Sequence, residues 1–334
     1  MKIIITGASG LIGKRLCKVL KQNGFDVELL KRHDYNNTIE QKDWLSRKNI
    51  FWSNPEILEN ADAVVHLAGA NVGSPWTKKY KNEILNSRKL GTEALMKACA
   101  ECQTPPRHII SASGIGFYPE NTHQLLNESS ESGSTFLAEV CKIWEQGIFE
   151  HEIPGVLASC LRTGIVMSNH SKIFSVSKLQ FQLFGMVGSV GSPNNVWSWI
   201  HIDDLCSMYL ALIKGTMSPG IYNAVAPHPS TQKAAGIAFE KFALHRELKK
   251  MSINALLWGT HRIPCAINKI LQALRITARP VLPAFLIKLA WGDRSAIALT
   301  NQNVSAKKTL DTGFCYQYPT IESAMEHLHT HPDY

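Results

Sequence analysis

The chain has 334 residues and a formal net charge of +8 at neutral pH; 45% of its residues are hydrophobic and 19% charged. That balance excludes disorder over most of the length and allows a large core, as one large domain or two of ordinary size. No run approaches the ~18 consecutive apolar residues of a membrane span. The N-terminal stretch, broken by Gly7, Ser9 and Gly10 and followed by Lys14-Arg15, does not read as a signal peptide.

Residues 1–6 read as a short buried strand running straight into Gly7-Ala8-Ser9-Gly10-Leu11-Ile12-Gly13. The G-x-x-G-x-x-G spacing lets the backbone turn at Gly7, approach a pyrophosphate at Gly10 and pack a helix on its strand at Gly13. N–H groups at the helix start then face the phosphates, so Gly7, Ser9, Gly10, Leu11, Ile12 and Gly13 form the expected cofactor-binding loop. Leu11, Ile12, Leu16, Val19 and Leu20 supply one apolar helical face, Gly24 ends the helix, and 25–30 is the next strand of a βαβ unit. An NAD site normally places an Asp or Glu about 20 residues beyond the glycines, on the ribose hydroxyls. Here that slot reads Lys31-Arg32, a point charge beside a bidentate fork, so NADP is expected. The alternative is that both are solvated loop cations and Asp34 bends back to the ribose.

Residues 63–69 read as another parallel strand whose small-residue turn, Leu67-Ala68-Gly69, lies against the cofactor. A helix is expected over 77–99, a strand over 107–113 ending in Ser113, a helix over 136–150, and a strand and turn over 156–167 around Leu161-Arg162-Thr163-Gly164. This alternation implies an α/β protein with a doubly wound parallel sheet, an NAD(P)-binding Rossmann fold. Beyond it the pattern loosens. Gly185, Gly188, Gly191 and Pro193 mark loops; 199–204 reads as a strand entering a helix, with an aspartate suited to N-capping; 221–225 is another strand, followed by a helix start at Ser230-Thr231. The expected division is a dinucleotide-binding domain over 1–167 and a smaller, mostly helical substrate-side region over 168–334, with strands 199–202 and 221–225 returning to the sheet.

The eight cysteines sit mostly inside apolar segments and read as reduced thiols of a cytoplasmic protein. Cys99 and Cys102 form one C-x-x-C without a second pair or a His pair at zinc spacing, so no metal site is expected. Basic residues gather after residue 240, but no aromatic platform or RNA signature accompanies them, and nucleic acid is not an expected partner. The stretch 240–279 carries apolar stripes between cations. It reads as core or dimer packing, or alternatively as a basic amphipathic element for a membrane surface or a partner.

Taken together, the glycine loop, the turn at 67–69, the Ser113 strand tip, 161–164 and Trp199-Ile200-His201-Ile202-Asp203-Asp204 resemble the extended short-chain dehydrogenase/reductases. More narrowly, Trp76-Thr77, Ser87-Arg88, Cys141 with Trp144-Glu145, and the tail through Gly313-Phe314 resemble atypical NADP-binding epimerase-family proteins with a C-terminal domain of unknown function. With this resemblance Arg88 joins the cofactor-binding positions, although no role for it follows from the residues themselves.

The resemblance implies hydride transfer on a small carbonyl or hydroxyl compound, with a tyrosine and a lysine four residues later as the proton-handling pair. No tyrosine here is followed at that spacing by a lysine: Ile39, Ile84, Thr122, Ile213, Ala226, Thr320 and Glu322 occupy those positions, and Tyr334 ends the chain. By the shared Glu145, the pair's places fall to Leu137 and Cys141. The remaining catalytic candidates are Ser113, for a hydrogen bond to substrate, and Tyr118, as an acid. Packing is the alternative for Tyr118; Cys141 reads first as a small core residue, with proton donation as its alternative, and His201 as a structural residue hydrogen-bonded between Trp199 and the start of the helix at Asp203, with titration beside the pocket as its alternative. An NADP sensor or scaffold without turnover is the rival reading, and nucleotide-sugar epimerisation ranks below it.

Overall fold

The computed structural model describes residues 1–30, 55–120, 122, 124–184, 186–243 and 281–331, and these divide into two compact units. The first comprises Met1–Gly164, Ile202–Val225 and Val304–Gln317. It holds a sheet of β1 (Lys2–Thr6), β2 (Asp26–Leu29), β3 (Ala63–His66), β4 (His108–Gly114), β5 (Leu157–Thr163) and β6 (Ile221–Ala224). Every pairing is parallel, in the order β6-β5-β4-β3-β1-β2. Strand order reverses between β1 and β3, the kind of switch point at which open α/β sheets bind ligands beyond the strands' carboxyl ends.

The central strands are near-continuous apolar runs because both faces are covered. Ile3, Ile4, Ile5, Val64, Val65, Ile109 and Ile110 are each wholly excluded from solvent. Helix α1 (Leu11–Gln22) packs with α5 (Ile202–Lys214), and α2 (Lys78–Ala100) with α3 (Phe136–Phe149). The Thr77 and Thr135 hydroxyls accept the N3 amides of α2 and α3 as N-caps. Leu95, Met96 and Ile148 from these helices join Ile4, Val64 and Ile109 in one core cluster.

The second unit comprises Ile165–His201, Ala226–Asn303 and Tyr318–Tyr334. It combines short two-stranded ladders with α4 (Lys172–Phe184), helical turns over 232–243 and the helices Ala284–Trp291, Ser295–Leu299 and Ile321–Thr330. Met167, Phe174, Trp199, Phe239, Met325 and Leu328 lie at its core.

Three differences from the sequence reading have physical causes. Strand Trp199–His201 pairs in parallel with Ile165–Met167 in a ladder of its own, whereas β6 extends the main sheet beside β5. The chain therefore leaves the first unit after Gly164 and re-enters it at Ile202, so neither unit is continuous in sequence. The aspartates of α5 lie within its first turn rather than at its cap: Asp203 takes the Arg15 guanidinium and Asp204 accepts the Gln317 N–H at 2.8 Å. His201 meets the ring of Tyr318 at 3.9 Å and the Nδ1 of His327 at 3.2 Å, contacts supplied by the C-terminal segment. Lys31 and Arg32 lie outside the described residues, as does most of 240–279. Among the described residues, no helix is long and apolar enough to cross a membrane.

Candidate functional site

The carboxyl end of β1 turns at Gly7, which adopts φ +71°. A side chain there would be strained and would also meet Ala68 N and Leu67 C at 2.7 Å. Gly7 thus brings the first loop directly against the turn that follows β3. A Cβ on Gly13 would stand 2.5 Å from Gly7 O and 2.7 Å from Ala8 Cα, so close packing of α1 on the loop requires glycine. Gly10 differs: a Cβ there meets only Gly7 O, at 3.3 Å, and the residue is exposed. Gly10 is the N-cap of α1 without a capping side chain, and the first turn holds no acidic residue. The backbone N–H groups of Leu11, Ile12 and Gly13 have no acceptor among the described residues, leaving the positive end of the helix open to an anion.

The facing turn, Leu67 to Ala70, is fixed from behind. Thr6 Oγ1 accepts the N–H groups of Leu67 and Ala68 at 3.2 and 3.3 Å, which directs its own proton to His66 Nδ1 at 2.8 Å. His66 Nε2 is then the protonated nitrogen and donates to Thr92 Oγ1 at 3.2 Å. Burial, aided by the positive charge of Arg88, lowers the His66 pKa to about 3, so the ring is neutral. Ser87 Oγ accepts the Ala70 N–H at 2.9 Å, and Arg88 Nη1 donates to Ala70 O at 3.1 Å. The Arg88 guanidinium carbon would lie 2.9 Å from a Cβ on Gly69, and it stacks 4.6 Å from the centre of the Trp144 ring. Burial lowers the Arg88 pKa to about 10, leaving it cationic at neutral pH. Ser87 and Arg88 therefore acquire the role that the sequence left open: they clamp this turn.

Farther along the sheet, the carboxyl ends of β4, β5 and β6 share a buried polar network. Arg162 forms two parallel bonds to Glu145, Nε to Oε1 at 2.9 Å and Nη2 to Oε2 at 2.7 Å. Its Nη1 reaches the Tyr118 hydroxyl at 3.0 Å, and the Phe117 ring lies 3.5 Å from the guanidinium carbon. Burial opposes the Arg162 charge, but the hydrogen bonds and charge of Glu145 more than offset this and raise its pKa above the ordinary value. Ser113 donates to Glu145 Oε1 at 2.7 Å.

Tyr118, expected as an acid, lies wholly in the interior and donates to Asn223 Oδ1 at 2.6 Å. Burial pushes its pKa up to about 12, partly offset by Arg162. The hydroxyl is thus part of the protein's internal bonding and is not presented to a ligand. Arg162, at the end of a buried strand, satisfies the Glu145 carboxylate. On α3, Leu137 packs against Gly116, where a Cβ would stand 3.1 Å from its own, and Cys141 Sγ lies beside Gly114. Burial, reinforced by Glu145, raises the Cys141 pKa while hydrogen bonds with Ser113 and Gly114 oppose it, so the thiol keeps its proton. Cys99 and Cys102 are likewise thiols with raised pKa values, chiefly through burial.

Sequence reasoning missed Thr6, His66, Thr92 and Asn223. The signal available was weak: a polar residue at the last position of a buried strand, as at Thr6 and His66. Thr6 and His66 lie 60 residues apart in the chain, and Asn223 lies 105 from its partner Tyr118.

Residues 3–141 match the model of the NAD dependent epimerase/dehydratase family, and 282–328 that of a domain of unknown function, DUF1731. Over residues 3–141 the chain is thus similar to the NAD-dependent epimerase/dehydratase family. An epimerase family protein of Staphylococcus saprophyticus is 28% identical to this chain over 97% of its length and 98% of the relative's. The human epimerase family protein SDR39U1, solved with NADPH, has the same fold, with a TM-score of 0.76 and 24% identity over 99% of each chain. A nucleoside-diphosphate sugar epimerase from Corynebacterium glutamicum gives a TM-score of 0.68 and 26% identity over 98% of this chain and 57% of that one.

Proposed function

We propose that this protein binds NADPH at the carboxyl ends of β1 and β3 and uses it in an oxidoreductase reaction on a small carbonyl or hydroxyl compound. The observation that carries the reading is the pairing of an uncapped α1 N-terminus with glycines held against the Leu67–Ala70 turn. The pyrophosphate would be held by the N–H groups of Leu11, Ile12 and Gly13, with Ser9 beside them and Ala68 and Gly69 offering close backbone approach. Lys31 and Arg32 supply the charge that favours a 2′-phosphate over a free ribose hydroxyl. When bound, the nicotinamide supplies hydride chemistry. Ser113, its own proton donated to Glu145, accepts a hydrogen bond from a substrate hydroxyl or from a water that carries the proton. That water takes the place of the absent tyrosine.

The test is a fluorescence titration with NADPH and NADH of the wild type and Arg32→Ala. NADPH is expected to bind more tightly than NADH, and the variant to lose at least about tenfold in NADPH affinity, or ~1.4 kcal/mol. Equal affinity for the two nucleotides in both proteins would rule out the assignment to NADP.

One observation favours a second reading, an NADPH-binding protein without turnover. Leu137 and Cys141 occupy the places of the proton-handling pair, and the nearby phenol, Tyr118, is turned into the interior. NADPH consumption with any carbonyl compound, abolished by Ser113→Ala, decides for the enzyme; tight binding with no consumption decides for the second reading.

A further inference from the structure

Helix Ala284–Trp291 turns an apolar face to solvent. Its sequence is hydrophobic on every side apart from Lys288, yet Ile287 is its only buried residue. At about 100° per residue, Phe285, Leu286 and Leu289 share one stripe on the side away from Ile287. Phe285 is 67% exposed and Leu289 83%. Val281 and Leu282 just before the helix are exposed as well, as is Trp291 at its end. A helix hydrophobic all round is ordinarily enclosed, and a run of exposed apolar side chains on a folded protein marks an interaction surface.

The backbone beneath this face is fixed. Val281 and Leu282 pair in parallel with Ser189 and Val190, and Leu282 O accepts the Gly191 N–H at 2.9 Å. A Cβ on Gly191 would stand 2.6 Å from Leu299 Cδ2, so the chain packs closely there. Gly292, at φ +56°, ends the helix, and the Arg294 guanidinium carbon lies 4.7 Å from the centre of the Trp291 ring.

Charge decides the occupant. From Val281 to Gly292 the only ionisable side chain is Lys288, exposed at the edge of the stripe, while Asp293 and Arg294 beyond the glycine balance each other. Immediately before this face in the sequence, 244–280 hold seven lysines and arginines against the single acid Glu247, so most of the chain's net charge of +8 adjoins it. A second copy packed symmetrically on the helix would set like charge against like. An anionic lipid surface instead takes the apolar stripe and the Lys288 stem into its acyl boundary and leaves the ammonium among phosphates. Trp291 suits the headgroup level.

We infer that helix Ala284–Trp291 docks the protein on an anionic membrane surface, inserting Phe285, Leu286 and Leu289 without spanning it.

Co-sedimentation of the full-length protein tests this with vesicles of phosphatidylcholine alone and vesicles in which about one lipid in three is phosphatidylglycerol. Binding to the anionic vesicles is expected to be at least about tenfold tighter than to the neutral ones, and to lose most of that advantage in concentrated salt. Phe285→Ser combined with Leu289→Ser should weaken binding to the anionic vesicles at least about tenfold. Lys288→Glu should reduce the preference for them, and Lys288→Arg should keep it. Because both replaced side chains are exposed, the double variant should unfold at the wild-type urea concentration, which separates lost docking from lost folding. No binding to either vesicle, or binding that the double variant keeps in full, overturns the inference. So does a dimer seen by light scattering that the double variant abolishes while vesicles stay unbound.

Discussion

Two parts of one sheet edge are built on different principles. The glycine-loop part, around Gly7 and Leu67–Ala70, is held by backbone stereochemistry and neutral hydrogen bonds, with Thr6 as the hub and an uncharged His66 behind it. The part at the ends of β4, β5 and β6 is held by a charged pair, Arg162 with Glu145, whose side chains are only 4% and 7% exposed. A buried ion pair gives a unique arrangement, but losing either member leaves an uncompensated charge. Neutral hubs cost less to break, yet they set the backbone that approaches the ligand. Stability and ligand affinity should therefore respond in opposite order at the two places.

The largest effect on folding is expected from Arg162→Met, which leaves Glu145 buried without its partner and should cost about 3–5 kcal/mol in urea unfolding. NADPH affinity of the folded fraction should change little. A loss well under 1 kcal/mol would show that Glu145 takes up a proton or finds water, and that the two parts of the edge do not differ in stability.

Next in size is a dependence on pH. His66, lowered to about 3, and His108, lowered to about 4, both chiefly by burial, are neutral in the folded protein. Unfolded, each titrates near 6.5, so between the two values the unfolded state binds more protons and is favoured by acid. The contribution of these residues is complete above about pH 6.5 and declines as pH falls toward 4 and then 3. From His66 alone the loss by pH 5 should be about 2 kcal/mol, and His66→Asn should flatten the slope by about one proton. An unchanged slope in that variant would place the ring in contact with water.

The smallest effect on stability is expected from Thr6→Val, which keeps the shape and removes the hydroxyl, at about 1 kcal/mol. Its effect on NADPH should be larger in proportion, a loss of about tenfold as the Leu67–Ala68 amides lose their acceptor. Thr6→Ser should restore most of it. Equal NADPH affinity in all three proteins would mean that the glycines alone fix the turn.

Much of this molecule was legible locally. The glycine loop, the helix from Thr77, the helix from Thr135 and the parallel strands depend on turn stereochemistry, capping and periodicity within a few residues, and these act the same way in any context. The candidate site was legible only where its chemistry lies in one stretch, as at Gly7–Gly13 and Leu67–Gly69. Tyr118 shows the limit. Its polar tip and loop position suit an exposed acid, and only Asn223, 105 residues later, together with Arg162, draws the hydroxyl inward.

The sequence by itself determined that a βαβ unit opens onto a glycine loop at the edge of a parallel sheet, because those contacts are short in the chain and glycine alone satisfies them. Tertiary structure decided which polar groups neutralise one another: Thr6 with His66, Arg15 with Asp203 across 188 residues, Arg162 with Glu145 and Tyr118. Such choices follow from burial, since a polar group removed from water must bond to whatever the fold brings beside it, and no local pattern in the chain encodes that neighbour.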